Sequence, residues 1–321
     1  MTRILVTGET LIDFIPDSSG RLASVESFSR RPGGAPANVA VALSHLDAPI
    51  SFWTRLGTDP FGDYLAEFLD EQGLSGEYVE RDPNGKTTLA FVSLGDDADR
   101  EFSFYRDVAA DARLEPGTVD DAALAEFGWL HADVLSLDTD PSRTAVLDLL
   151  ERAGEADVTV SFDPNARPER WSEFSYRESV RKGFALADVV KATPEDLHEA
   201  GLTGDAAELA REICTYGPHT AVITLGDAGA YAYATPNAPW TDDEEAEATH
   251  EGYVVDPVDT TGAGDAFTAG VVAALSEGES LAEALAFANA VAAVTTTEPG
   301  AMTALPSRAS VAEFRNEQAE L

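Results

Sequence analysis

The chain has 321 residues, 44% of them hydrophobic, enough for a sizeable core in one large domain with an appendage but short for three independent domains. Its 58 acidic against 21 basic side chains give a net charge of −37, which repels nucleic acid and anionic membranes and sets both aside as partners. Lys86, Lys182 and Lys191 are the only lysines, and a carboxylate-coated surface so poor in lysine is that of a salt-adapted protein. Ordered apolar periodicity argues against disorder despite the charge. The single cysteine, Cys214, excludes an intrachain disulfide and a cysteine metal cluster, and its apolar setting reads as core. The opening MTRILVTGETLIDF has no apolar run long enough for a signal or a membrane span, so a cytoplasmic location is expected.

In chain order, the first expected strand covers residues 3–8, and residues 11–32 then break the rhythm that follows. A helix is expected over 36–46, with a proline at its start, and a strand over 50–57. Residues 87–107 read as two alternating strands joined by an aspartate-rich turn. Further strands are expected at 128–135, 157–163, 188–192 and 219–226, with a helix at 141–153. The acidic stretch 241–252 reads as a solvated insertion, and 253-YVVD-256 as a strand leading into a helix. This alternation gives an α/β class, a mostly parallel sheet covered on both faces. The irregular segments, about 11–32 and 87–112, suggest a small separate sheet rising from it as a lid within one domain of 321 residues.

Two glycine clusters carry the chemistry. In 259-DTTGAGDAF-267 the residues Gly262, Ala263, Gly264 and Asp265 stand at a helix N-terminus, where small residues let backbone N–H groups approach a phosphate. Asp265 could there accept a proton from an alcohol. The same residues also suit a plain helix cap, and the stretch alone leaves both readings open. In 32-PGGAPANVAVAL-43 a tight turn at Gly33 and Gly34 presents Asn38 on the next helical turn, which suits a polyhydroxy ligand as well as a simple cap. Neither cluster is a Walker A loop or a Rossmann fingerprint.

Together, PGGAPANVAVAL and DTTGAGDAFTAG resemble the two signature regions of the ribokinase-like, or PfkB, family of sugar kinases, and the similarity runs from GETLIDF to 299-PGAMTALP-306. The resemblance implies a three-layer α/β/α sandwich with a small β-sheet lid. It implies Asp265 as catalytic base and Gly262, Ala263 and Gly264 as anion hole. Asp13, Gly33, Gly34 and Asn38 would contact the sugar, Arg106 and Asp111 would lie on the substrate side of the lid, and a plain ion pair is the alternative for the last two. ATP would be met by Thr224, Gly226 and Gly229, by Asn289 at the adenine, and by Lys191 and Asn165, the latter in an element 163-DPNAR-167. Asp259, Thr261, Thr295, Glu298 and Gly300 would form a monovalent-cation site for K+. For Mg2+ the family's Asn-x-x-Glu motif is replaced, with Thr193 and Asp196 at the nearest positions and Glu195 as a rival. Local features are similar to fructokinases, with ketohexokinase, 2-keto-3-deoxygluconate kinase, ribokinase and a silent sugar or nucleotide sensor as the other readings. The family also implies a homodimer formed through the lid.

Overall fold

Ile4 and Val6 point to one face of the first strand and Leu5 to the other, and each face meets its own buried apolar cluster. This alternation makes the central layer of a three-layer structure. The computed structural model describes residues 2–18, 20–74, 76–94 and 100–319. Across the sheet the strands run β13 (Ala246–His250), β12 (Ala230–Ala234), β11 (Thr220–Thr224), β10 (Val189–Ala192), β9 (Thr159–Asp163), β8 (Trp129–Asp133), β1 (Ile4–Thr7), β4 (Ile50–Gly57) and β5 (Val79–Asp82). Every pairing from β11 to β5 is parallel, and the β11–β12 and β12–β13 pairings are antiparallel.

One face is covered by α1 (Ala35–His45), α2 (Pro60–Glu71), α8 (Ala263–Ser276), α9 (Leu281–Thr296) and α10 (Arg308–Ala319). The other is covered by α3 (Asp121–Leu124), α4 (Ser142–Glu155), α5 (Tyr176–Leu186), α6 (Pro194–Glu199) and α7 (Ala206–Cys214). Strand order reverses between β1 and β8, and the crevice beyond the carboxyl ends of strands at such a switch point is where open α/β sheets bind ligands. A second sheet, in the order β3 (Phe28–Gly33), β2 (Leu11–Pro16), β6 (Leu89–Leu94) and β7 (Arg100–Tyr105), rises at that end. The aspartate-rich turn between β6 and β7 falls on 95–99, outside the described residues. No helix among the described residues is long and apolar enough to cross a membrane.

Two expectations fail at the far edge. Residues 253–256 form no strand, and the edge strand is β13, inside the acidic stretch taken for a solvated insertion. The physical reason lies in exposure. Val254 is apolar yet 95% exposed, whereas the alternation of 246-AEATH-250 turns Glu247 and Thr249 outward and pairs the backbone with β12. An edge strand needs only one half-buried face, so its acid does not argue against pairing.

Asp59 ties the two sheets together. It caps α2 through the N–H groups of Phe61 and Gly62, both at 3.0 Å, and accepts from the N–H of Thr87 at 2.7 Å and its hydroxyl at 2.8 Å, just before β6. Burial works to raise its pKa, but these donors outweigh it and hold the carboxyl below its usual range. The stability this supplies is present above the ordinary carboxylate pKa and is lost as pH falls through the lowered one. Asp59→Ala is expected to lower the unfolding free energy by about 1–2 kcal/mol near neutral pH. Denaturant titrations should show that gap narrowing as the pH is taken down through the carboxylate range.

Candidate active site

The chain reaches the switch point twice with a glycine and a polar group. Gly262 is the N-cap of α8 in the left-handed conformation at φ 78°, and a Cβ there would lie 2.9 Å from Cβ of Ala301, so only glycine fits the turn. The turn sets Asp265 on the first turn of α8. Asn38, on the first turn of α1, donates from Nδ2 to Asp265 Oδ2 at 2.6 Å, joining the two glycine clusters across 227 residues. Gly33 leaves room for another carboxylate: a Cβ there would come within 2.0 Å of Asp13 Oδ2.

Two adjoining cavities meet at Asp265. The smaller, about 100 Å³, is lined by Glu9, Asp13, Gly34, Asn38, Phe104 and Arg170 among others. The larger, about 450 Å³, is lined by Asp163, Lys191, Thr193, Glu195, Asp196 and Gly264. Both also touch Phe102, Asn165, Arg167, Thr261 and Gly262. Lys191 Nζ lies 3.0 Å from Asp163 Oδ2, and a Cβ on Gly264 would sit 3.5 Å from that ammonium, so a fixed cation stands beside the free N–H groups of the helix start. Burial works to lower the Lys191 pKa, but Asp163, Asp196 and Asp265 outweigh it and hold the ammonium above the ordinary lysine range.

Burial pushes the Asp265 carboxyl up to about 6; the Asn38 hydrogen bond and Lys191 work against the rise, and Asp163 adds to it. A carboxylate so placed is ionised at neutral pH and poised to take a proton. Asp133, at the end of β8, is buried and raised well above the carboxylate range, first by desolvation and then by Glu9, while Asn165 donates to it at 3.3 Å.

Of the remaining expected positions, Arg106 and Asp111 stand apart from the smaller cavity. Arg106 pairs with Asp111 at 3.0 Å and with Asp138 at 2.6 Å, and it lines a different hollow behind Phe104. Thr224 ends β11, and Gly226 and Gly229 flank a turn packed on residues 250–252; these three do not line either cavity among the described residues. Asn289 is buried in α9, with Nδ2 donating to the Leu285 carbonyl at 2.8 Å. Asp259 accepts from Thr261 N–H at 2.9 Å and hydroxyl at 2.6 Å, and from Gly300 N–H at 2.9 Å, which closes the 259–261 and 296–300 loops onto each other. Thr295 donates to the Val291 carbonyl, and Glu298 is exposed.

Four residues that line the smaller cavity, Glu9, Phe102, Phe104 and Arg170, escaped the sequence reading. Glu9 follows Gly8 directly in the first motif. Phe102 and Phe104 alternate on β7 and face Arg167 and Arg170 at 5.7 and 5.6 Å from ring centre to guanidinium carbon. Arg170 itself is buried, paired with Asp138 at 2.8 Å and Glu9 at 3.4 Å. The period-two aromatics in EFSFYRD, and an arginine three residues after Arg167, were the available signals.

A buried carboxylate held between a chamber rich in hydrogen-bonding groups and a cationic chamber at a helix N-terminus suits an enzyme that moves a phosphoryl group onto a small polyol. Comparison with known proteins bears on this directly. The model of the pfkB family of carbohydrate kinases matches residues 1–308, and the chain belongs to that family. It is 35% identical to a fructokinase of Vibrio alginolyticus over 322 residues, covering 98% of this chain and 99% of that one. Among solved structures, fructokinase from Xylella fastidiosa with bound ATP is 32% identical, with a TM-score of 0.85 and 99% of both chains covered. The fructose-, ADP- and calcium-bound form of Vibrio cholerae O395 fructokinase is 34% identical, with a TM-score of 0.82 over 98% of this chain and 99% of that one. The reaction is therefore phosphoryl transfer to a sugar hydroxyl.

The raised pKa of Asp265 has a stability consequence. Below its ordinary pKa both folded and unfolded states carry the proton, and as pH rises through about 6 the fold takes on a buried charge that an amide would not carry. Asp265→Asn, which can still accept from Asn38, is expected to raise Tm above that of the wild type at pH 8 by at least about 2 °C. Thermal scans at pH 4 should show the difference gone.

Proposed function

We propose that the chain is an ATP-dependent fructokinase with Asp265 as its base. The observation that carries the reading is the position of Asp265, hydrogen-bonded to Asn38 at 2.6 Å and lining both cavities. Fructose occupies the smaller chamber, against Asp13, Gly34 and Asn38. The Oδ1 of Asn38 is buried with no hydrogen-bond partner among the described residues and awaits a donor, which a sugar hydroxyl supplies. The terminal phosphoryl of ATP lies in the larger chamber. A primary hydroxyl oxygen attacks the γ-phosphorus, its proton passes to Asp265, and the bond to the departing ADP breaks. The N–H groups of Gly262 and Gly264 and the Lys191 ammonium receive the charge on the phosphoryl oxygens, with the Ala263 N–H first having to leave the Thr260 carbonyl it donates to at 3.3 Å. Asn165, Thr224, Gly226, Gly229 and Asn289 complete the nucleotide side, and the small sheet acts as a lid that excludes water.

Magnesium fits this site as a largely hydrated ion. Both oxygens of Asp196 are taken, one by the Ala166 N–H at 2.7 Å and the other by the Thr193 N–H and hydroxyl at 3.1 and 2.8 Å. Glu195 is exposed on the wall of the larger cavity, so it and Asp196 would hold the ion through water, where it neutralises phosphate charge. Potassium fits the paired 259–261 and 296–300 loops, with Thr295 at the end of α9 beside them, through backbone carbonyls, because the Asp259 carboxylate is spent on the loop contact. Arg106, the residue able to hold the carboxylate of 2-keto-3-deoxygluconate, is committed to Asp111 and Asp138, which favours the neutral ketose. Tyr105, 66% exposed beside Phe91 on the small sheet, supports a homodimer through that sheet, and the acidic surface suits a high-salt cytoplasm.

Coupled ATP turnover in molar KCl with magnesium is expected to prefer fructose over ribose, glucose and 2-keto-3-deoxygluconate, with the C1 or C6 position of the product read by NMR. Preference for the keto acid would sink the fructose assignment. Asp265→Ala should lower kcat by about 10²–10⁴-fold while leaving sugar affinity within a few-fold. The wild-type kcat/KM should fall on the acid side with a limb near pH 6, set by the raised pKa of Asp265. A flat acid profile would remove Asp265 as the titrating base. A monomeric mass by light scattering in high salt would remove the dimer.

A further inference from the structure

Glu9 is a buried carboxylate with half its bonding capacity unused. It is 3% exposed and lines the smaller cavity, in the bend that links β1 to β2. Its Oε1 lies 3.4 Å from Nη1 of Arg170, whereas Oε2 has no hydrogen-bond partner among the described residues. Neither end of this arrangement is free to relax. Arg170 is held by Asp138 through Nε and Nη2, both at 2.8 Å, and by the Leu135 carbonyl at 3.1 Å. The backbone of Glu9 is pinned as well. A Cβ on Gly34 would lie 2.7 Å from the Glu9 carbonyl, and φ of +108° at Gly34 is a conformation other residues rarely adopt. A carboxylate oxygen held rigidly away from water bears its full desolvation cost until a donor reaches it.

We propose that Glu9 is a specificity-determining residue, whose Oε2 accepts a hydrogen bond from a sugar hydroxyl other than the one phosphorylated. Arg170 is its positioning residue. This rests on the reading that a neutral ketose fills the smaller cavity. The two orphan acceptors there, Glu9 Oε2 and Asn38 Oδ1, call for a ligand offering two O–H donors. An acceptor held this way discriminates strongly against an analogue lacking the matching hydroxyl, because the carboxylate is then left buried and unpaired.

The test compares wild type, Glu9→Met and Glu9→Gln on fructose, 3-deoxyfructose, 4-deoxyfructose and 2,5-anhydromannitol, with kcat and KM read separately and sugar Kd by calorimetry. Glu9→Met is expected to raise KM and Kd for fructose by about tenfold or more with kcat nearly unchanged. One analogue should bind wild type correspondingly worse and be indifferent to the substitution. Equal loss on every analogue, or an unchanged Kd, overturns the proposal. Should Glu9→Met fail to fold, Glu9→Gln must at least partly flatten the discrimination against that one analogue, and intact discrimination overturns it. Wild-type fructose binding without turnover would sink the kinase reading alone, since the Kd comparison still reads Glu9.

Discussion

The hydrogen bond between Asn38 and Asp265 is the contact on which the site depends. It joins the first turns of α1 and α8, two helices that begin beside each other at the end of the sheet where strand order reverses. Asp265 alone would be a buried charge with a raised pKa, and Asn38 alone would be a buried amide. Together they fix a carboxylate at the junction of two chambers, close enough to an ammonium and a helix start to stay ionised, yet dry enough to accept a proton.

The rest of the cleft is a set of buried charges that neutralise one another in pairs. Lys191 answers Asp163, Arg170 answers Glu9 and Asp138, and Arg106 answers Asp111 and Asp138. Such pairs are costly to desolvate, and breaking one leaves an uncompensated charge. Their gain here is positional. Strand β7 presents Phe102 and Phe104 from alternate residues, with Arg106 directly after its end, and these meet Arg167, Arg170 and Asp138 of the main body in turn. The small sheet is thus fastened to the wall of both chambers by its own pleat.

Much of this was legible in the residues. The parallel strands announced themselves as short apolar runs, and GGAPAN and DTTGAGD marked their helix starts because only a few residue types permit those turns. What could not be read was which side chains face which chamber. For Arg106 and Asp111 the sequence leaves a substrate contact and a plain ion pair both open, and Asp138, the second partner of Arg106, carries no local signal at all. Glu9 was hidden within a motif read for its later aspartate. The partners of a buried charge come from distant parts of the chain, and spacing along the sequence does not report them. Strand β13 was missed for a different reason: with Glu247 and Thr249 outward, its composition is that of a loop, and only its pairing with β12 makes it a strand.

That edge bears on whether copies of the molecule can pair strand to strand. An unpaired strand edge is a template for another chain, and proteins guard it with charge. On β13 the exposed acidic residue is Glu247, which is engaged with Arg211. At molar salt the Debye length shrinks to about 3 Å, so repulsion between two such edges acts hardly beyond contact. Under such salt, an approaching strand would meet the exposed carboxylates of the neighbouring 242–245 segment and would have to strip their hydration before it could pair.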